Sequence, residues 1–144
     1  MDGERTTLLI EDNEDHALLA QWALRRNADG WDTVWLRDGE EALRYLEQCE
    51  AAARQNTHTP GLILLDINLP KVNGKEILRR IRQCEGLCAT PVVMLTTSDD
   101  EEDVAECYSL GANSYVIKPV QFDDLSRKLA AIHLYWRDTN RTAG

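Results

Sequence analysis

Five residues suited to handling charge stand directly behind apolar runs. Glu11 and Asp12 follow Leu8-Leu9-Ile10, Asp66 follows Leu62-Ile63-Leu64-Leu65, Thr96 follows Val92-Val93-Met94-Leu95, and Lys118 follows Tyr115-Val116-Ile117. Three carboxylates brought within about 4 Å of one another repel by several kcal/mol per pair at an effective dielectric of about 20, so cations must accompany them. Lys118 provides one fixed positive charge, and an all-oxygen ligand set that retains several waters suits Mg2+ or Mn2+. A carboxylate of ordinary pKa, such as Asp66, is ionised at neutral pH and attacks phosphorus without a general base. What it needs is neutralisation of the charge on the phosphoryl oxygens. A metal and a lysine do this, while a hydroxyl such as Thr96 donates a hydrogen bond. Taken alone, Glu11 or Asp12 is equally well read as an acid capping the helix that follows.

The elements that must gather these residues are legible in the same runs. None of the four alternates with polar residues, which suits strands buried on both faces. Thr33-Val34-Trp35-Leu36 is β-rich but more mixed, as an edge strand is. Between the runs lie segments of helical length, and Asp38 before Glu41, Asn73 before Glu76 and Ser98 before Glu101 each pair a side-chain acceptor with an acid three residues later, as helix N-termini do. Phe122, Leu125, Leu129, Ile132 and Trp136 form one stripe of a final helix. Strands and helices therefore alternate from end to end, predicting an α/β fold with a doubly wound, five-stranded parallel sheet and five helices in a single domain. In such sheets ligands bind beyond the carboxyl ends of the strands, where the five residues converge. A polar extension from Ala51 to Thr59 reads as a prolonged second helix and a loop.

Composition narrows the functional classes. The 144 residues carry 16 Lys and Arg against 25 Asp and Glu, a net charge of −9, and no basic face is evident, which disfavours nucleic acid as a partner. No apolar stretch is long enough for a membrane span, and the first ten residues lack the pattern of a signal peptide, so the expected location is the cytoplasm, without membrane association. Cys49, Cys84, Cys88 and Cys107 contain no C-x-x-C pair, and His16, His58 and His133 lie far apart in sequence, so zinc spacing is missing. The cysteines read as reduced, partly buried small apolar residues, with Gly86 opposing a helix across 84 and 88.

Together, Glu11-Asp12, Leu64-Leu65-Asp66-Ile67-Asn68-Leu69-Pro70, Thr96 and Lys118-Pro119 resemble, over nearly the whole chain, the receiver domain of two-component response regulators, the CheY-like, flavodoxin-like fold with strand order 2-1-3-4-5. The resemblance implies a receiver over residues 6–137, with tails at 1–5 and 138–144. It implies that Asp66 accepts a phosphoryl group from a phosphohistidine on a sensor kinase or phosphotransfer protein. Mg2+ would be held by Asp12, Asp66 and the main-chain carbonyl of Asn68, with Glu11 acting through water. It further implies a cis Lys118–Pro119 bond and a switch in which Tyr115 changes rotamer as Thr96 turns to the phosphate. Such a protein assists its own phosphorylation and dephosphorylation without being an enzyme in the ordinary sense. Thr97 departs from the smaller residue many receivers carry there, which puts water access to the phosphate in question.

The run Thr96-Thr97-Ser98, the extension before the third strand, Asn113-Ser114-Tyr115 and Tyr135-Trp136 resemble the response regulators paired with bacterial and cyanobacterial phytochromes, implying a phytochrome kinase as partner. Eight residues follow Trp136, so no output domain is expected and signalling is by contact. Leu18 and Trp22, one turn apart, form either a kinase-docking patch or part of the core. Leu134 and Tyr135, with the fourth helix and fifth strand, are expected to contribute to a homodimer. Two other readings compete. One is a degenerate receiver that only binds partners. The other is an aspartate-nucleophile, Mg2+-dependent phosphohydrolase, in which Asn68 would occupy the place of the second acid of a D-x-D pattern and cannot protonate a leaving group. A nucleotide-binding module is weaker still, since no Gly-rich phosphate loop is present.

Overall fold

The computed structural model describes residues 6–26, 31–54 and 59–140; the tail 1–5, the end of the other tail at 141–144, and 55–58 of the polar extension, including His58, lie outside the described residues. Five strands, β1 (Thr6–Ile10), β2 (Asp32–Leu36), β3 (Leu62–Leu65), β4 (Val92–Thr96) and β5 (Ser114–Ile117), form a sheet ordered β2-β1-β3-β4-β5. Every pairing is parallel. The helices are α1 (Glu14–Arg26), α2 (Gly39–Arg54), α3 (Gly74–Gln83), α4 (Glu101–Ser109) and α5 (Phe122–Leu134), the last continuing into a π turn over Tyr135–Thr139.

Successive strand residues feed opposite faces of the sheet, as the two-residue side-chain period requires. Leu8, Ile10, Ile63, Leu65, Val92 and Met94 pack on one face against Leu46 of α2 and Ile77, Leu78 and Ile81 of α3. Leu9, Leu62, Leu64, Val93 and Leu95 pack on the other against Ala17, Ala20, Ala23 and Leu24 of α1 and Leu125, Leu129 and Ile132 of α5. Hence the interior strands read as unbroken apolar runs. β2 is an edge strand and is only partly buried, as its mixed composition predicts. β5, read as buried on both faces, is the opposite edge and reaches only intermediate burial, because it has one neighbouring strand.

Two of the three helix starts fall where their side chains place them. Asp38 Oδ1 accepts from Glu41 N at 2.9 Å, and Asn73 Oδ1 accepts from Lys75 N at 2.8 Å. The third is displaced: Asp100 caps α4, accepting from Glu102 N at 2.9 Å, while the Ser98 hydroxyl donates to Asp103 Oδ2 at 2.5 Å. In α5 the packed stripe begins at Leu125, and Phe122 remains largely exposed. Cys49, Cys84 and Cys107 are buried and Cys88 is exposed, all as free thiols; burial pushes Cys49 and Cys107 up to about 11, which leaves them protonated. α3 stops at Gln83, and Gly86 takes up a φ of +90°, so no helix spans 84 and 88.

Candidate functional site

Strand register carries the charged residues to one place. Ile10 and Leu65, the last residues of β1 and β3, are partners, and Asp66 N donates to Ile10 O at 3.1 Å. Thr96 and Ile117 end β4 and β5 as partners, and Lys118 N donates to Thr96 O at 2.7 Å. Asp66 and Lys118 therefore begin where a pair of strands stops, and Thr96 is itself the last paired residue of β4. Gly74 completes the platform from below: its N–H donates to Ile67 O at 2.8 Å, and a Cβ there would collide with the Asp66 carbonyl. Only glycine lets α3 begin this close to the Asp66 backbone.

Glu11, Asp12 and Asp66 present carboxylate oxygens within 4.8 Å of one another. Glu11 and Asp66 are buried, and Asp12 is exposed. The buried Lys118 ammonium bonds Asp66 Oδ2 at 3.0 Å and also Glu11 Oε1. Three carboxylates thus face one fixed cation. Asn68 N donates to the other Asp66 oxygen, Oδ1, at 3.2 Å, orienting that carboxylate from the loop after β3. An all-oxygen cluster with one exposed acid matches the donor preference of a hard divalent cation and leaves a path from solvent.

Thr96 is fully buried, and its hydroxyl accepts from Ser98 N at 3.4 Å. The Tyr115 hydroxyl donates to Ser98 O at 2.8 Å. Thr96 at the end of β4 and Tyr115 on β5 thus both bond Ser98 of the β4–α4 loop, and among the described residues neither makes a hydrogen bond to Asp66. One expectation is corrected: the Lys118–Pro119 bond is trans. Trans is the lower-energy form of an X–Pro bond by about 0.5–1 kcal/mol, and with it Lys118 already reaches both acids. Leu18 and Trp22 are 53% and 51% exposed, which places them on the surface of α1 and not in the core.

Sequence reasoning missed three contributors. Trp35 Nε1 donates to Glu11 O at 2.7 Å, Asn13 N donates to Glu11 Oε2 at 3.1 Å, and His16 Nδ1 lies 3.1 Å from Lys118 Nζ. Asn13 was detectable, since Asn followed by two acids reads as a helix cap; its Oδ1 accepts from His16 N at 3.0 Å. His16 carried no signal, because its partner lies 102 residues away.

Burial pushes the Glu11 carboxyl up to about 7, against the opposing pull of Lys118. A carboxyl raised on folding favours the folded state fully below its ordinary pKa of 4.5, and that contribution is lost as pH rises through about 7. In metal-free buffer at pH ~8, Glu11→Gln is therefore expected to be more stable than wild type by about 1–3 kcal/mol, with the gap shrinking toward pH ~5. Urea unfolding at the two pH values checks this, and a variant less stable than wild type at the higher pH contradicts it.

Comparison with known proteins gives the same fold and family. The chain is 45% identical over 137 residues to the probable methanogenesis regulatory protein FilR2 of Methanothrix harundinacea, covering 95% of this chain and 86% of that one. It is 38% identical over 135 residues to response regulator Rcp1 of Synechocystis sp., covering 94% and 90%. The Mn2+-bound structure of Rcp1 superposes with a TM-score of 0.86 at 36% identity, covering 97% of this chain and 99% of that one. The phosphorylated cyanobacterial phytochrome response regulator RcpA superposes with a TM-score of 0.88, also at 36% identity and with the same coverage. No helix among the described residues is long and apolar enough to cross a membrane. Residues 7–130 match the response regulator receiver domain, and the chain belongs to that family of signalling phosphoacceptors, with phytochrome response regulators among its close relatives.

Proposed function

We propose that Asp66 accepts a phosphoryl group from the phosphohistidine of a sensor histidine kinase, in the cytoplasm, with a phytochrome as the kinase. The observation that carries this reading is the Lys118 ammonium set between Glu11 and Asp66 at aligned strand ends, beside the exposed Asp12. An Asp66 oxygen forms a new bond to phosphorus, the P–N bond to the kinase imidazole breaks, and the electron pair leaves with that nitrogen. Lys118 pairs with phosphoryl oxygens as they arrive, and Asn68 N holds the other Asp66 oxygen in place. The residues fit Mg2+, or Mn2+, held by Asp12, Asp66 and the Asn68 main-chain carbonyl with Glu11 through water; it would neutralise charge on the nonbridging oxygens. The phosphohydrolase reading is disfavoured because Asn68 cannot supply the second acid.

The new phosphate carries about −1.5 to −2 charge and competes for donors already engaged elsewhere. The Thr96 hydroxyl turns from the Ser98 amide toward the phosphoryl group. Tyr115, tied to the Ser98 carbonyl, follows the loop. Moving such a switch from 1:99 to 99:1 takes about 5.5 kcal/mol of preference, available when several charge-assisted bonds form together. The readout is contact with other chains. Tyr108 on α4, Ile117 on β5, and Leu134 and Tyr135 at the end of α5 are large apolar residues left exposed, and they support a homodimer through α4, β5 and α5.

Incubation with acetyl phosphate is expected to add one phosphoryl mass in the presence of Mg2+ and none without it, and Asp66→Asn is expected to add none. Modification of the variant would move the acceptor elsewhere, and no gain in wild type together with no beryllofluoride binding would leave a binding-only receiver. Sedimentation at tens of micromolar should report dimers; monomers with and without beryllofluoride would contradict the self-interface.

A further inference from the structure

A lysine ammonium donates up to three hydrogen bonds and accepts none. For Lys118, Glu11 Oε1 and Asp66 Oδ2 take two of them, and the third polar contact is His16 Nδ1 at 3.1 Å. Because the ammonium has no lone pair, Nδ1 must be the acceptor, which fixes His16 as the neutral tautomer with its proton on Nε2. Burial and the adjacent Lys118 charge both lower the His16 pKa, in keeping with a ring that stays neutral.

The imidazole is held at this position by the start of α1. Asn13 Oδ1 accepts from His16 N at 3.0 Å, Asn13 O accepts from Ala17 N at 2.9 Å, and Asn13 N donates to Glu11 Oε2 at 3.1 Å. One capping residue thus ties together the carboxylate and the imidazole that hold Lys118. A neutral acceptor at this point gives the ammonium direction without cancelling its charge, which a third carboxylate would do.

We propose that His16 is a positioning residue for Lys118, holding the ammonium through Nδ1 so that it exchanges Asp66 Oδ2 for a phosphoryl oxygen while keeping its other two partners. The consequence for phosphorylation rests on the phosphoacceptor reading of Asp66; the hydrogen bond itself does not.

Two measurements on the full chain test it. Imidazole 15N NMR should show His16 protonated at Nε2, with an Nδ1 signal that moves in Lys118→Met; a ring protonated at Nδ1, or a signal indifferent to Lys118, overturns the proposal. With acetyl phosphate and Mg2+, His16→Leu should slow phosphorylation by about ten- to a hundredfold, the size of one lost charge-assisted bond. His16→Asn, which sets an amide oxygen near the place of Nδ1, should stay within about twofold of wild type by the same reasoning. A His16→Leu rate equal to wild type, or His16→Asn as slow as His16→Leu, also overturns it, the second by assigning the effect to the bulk of the ring. A wild type that takes no phosphoryl group contradicts the phosphoacceptor reading instead, and the imidazole signal then still decides whether His16 holds the ammonium.

Discussion

Lys118 brings one positive charge to the point where two interior strands end in carboxylates. Burying it without partners would cost several kcal/mol, and burying Glu11 and Asp66 without it would cost as much again. Pairing makes the arrangement tolerable, but the balance stays negative because Asp12 adds a third acid. A site built this way carries more negative charge than its lysine offsets. It favours whatever adds positive charge beside Asp12, and once that charge is present it favours an incoming group rich in oxygen. Burial, with a smaller repulsion from Asp66, pushes the Glu11 carboxyl up despite its contact with a lysine.

The rest of the fold keeps these charges together. Aligned ends of β1 with β3 and of β4 with β5 set the depth of each residue, and two apolar layers fix the sheet between α1 and α5 on one side and α2 and α3 on the other. Glycine at 74 lets α3 begin against the Asp66 backbone. On the far side of Thr96 a polar chain runs outward: Ser98 bonds Asp103, which pairs with Lys75 at 2.5 Å, and Lys75 also pairs with Glu106 at 2.7 Å. These groups lock the β4–α4 loop to α3 and α4, so a change at Thr96 has a route to the surface.

Much of this was legible in the sequence for a physical reason. Interior strands of a doubly wound sheet need apolar residues at every position, so their runs stand out, and topology then brings the residue after each run to the carboxyl edge of the sheet. Asp38 and Asn73 were readable because a cap is a local interaction. Ser98 misled because α4 begins later than its hydroxyl marks: Asp100 is the cap, while Ser98 Oγ accepts from Asp100 N at 3.4 Å and donates to Asp103. β5 misled because an edge strand with short apolar content looks like an interior one until its neighbours are counted. The trans bond before Pro119 ran against what family resemblance implied, and His16 was invisible because its meaning depends entirely on a lysine distant in sequence.

The strand-end carboxylates hold more negative charge than Lys118 offsets, and a divalent cation would balance them. Calorimetric titration of Mg2+ into wild type and Asp12→Asn tests this most directly. Saturable binding to wild type that raises its unfolding temperature is expected, with both effects lost or greatly weakened in the variant. Equal binding by the two proteins, or no stabilisation of wild type by Mg2+ or Mn2+, would contradict it.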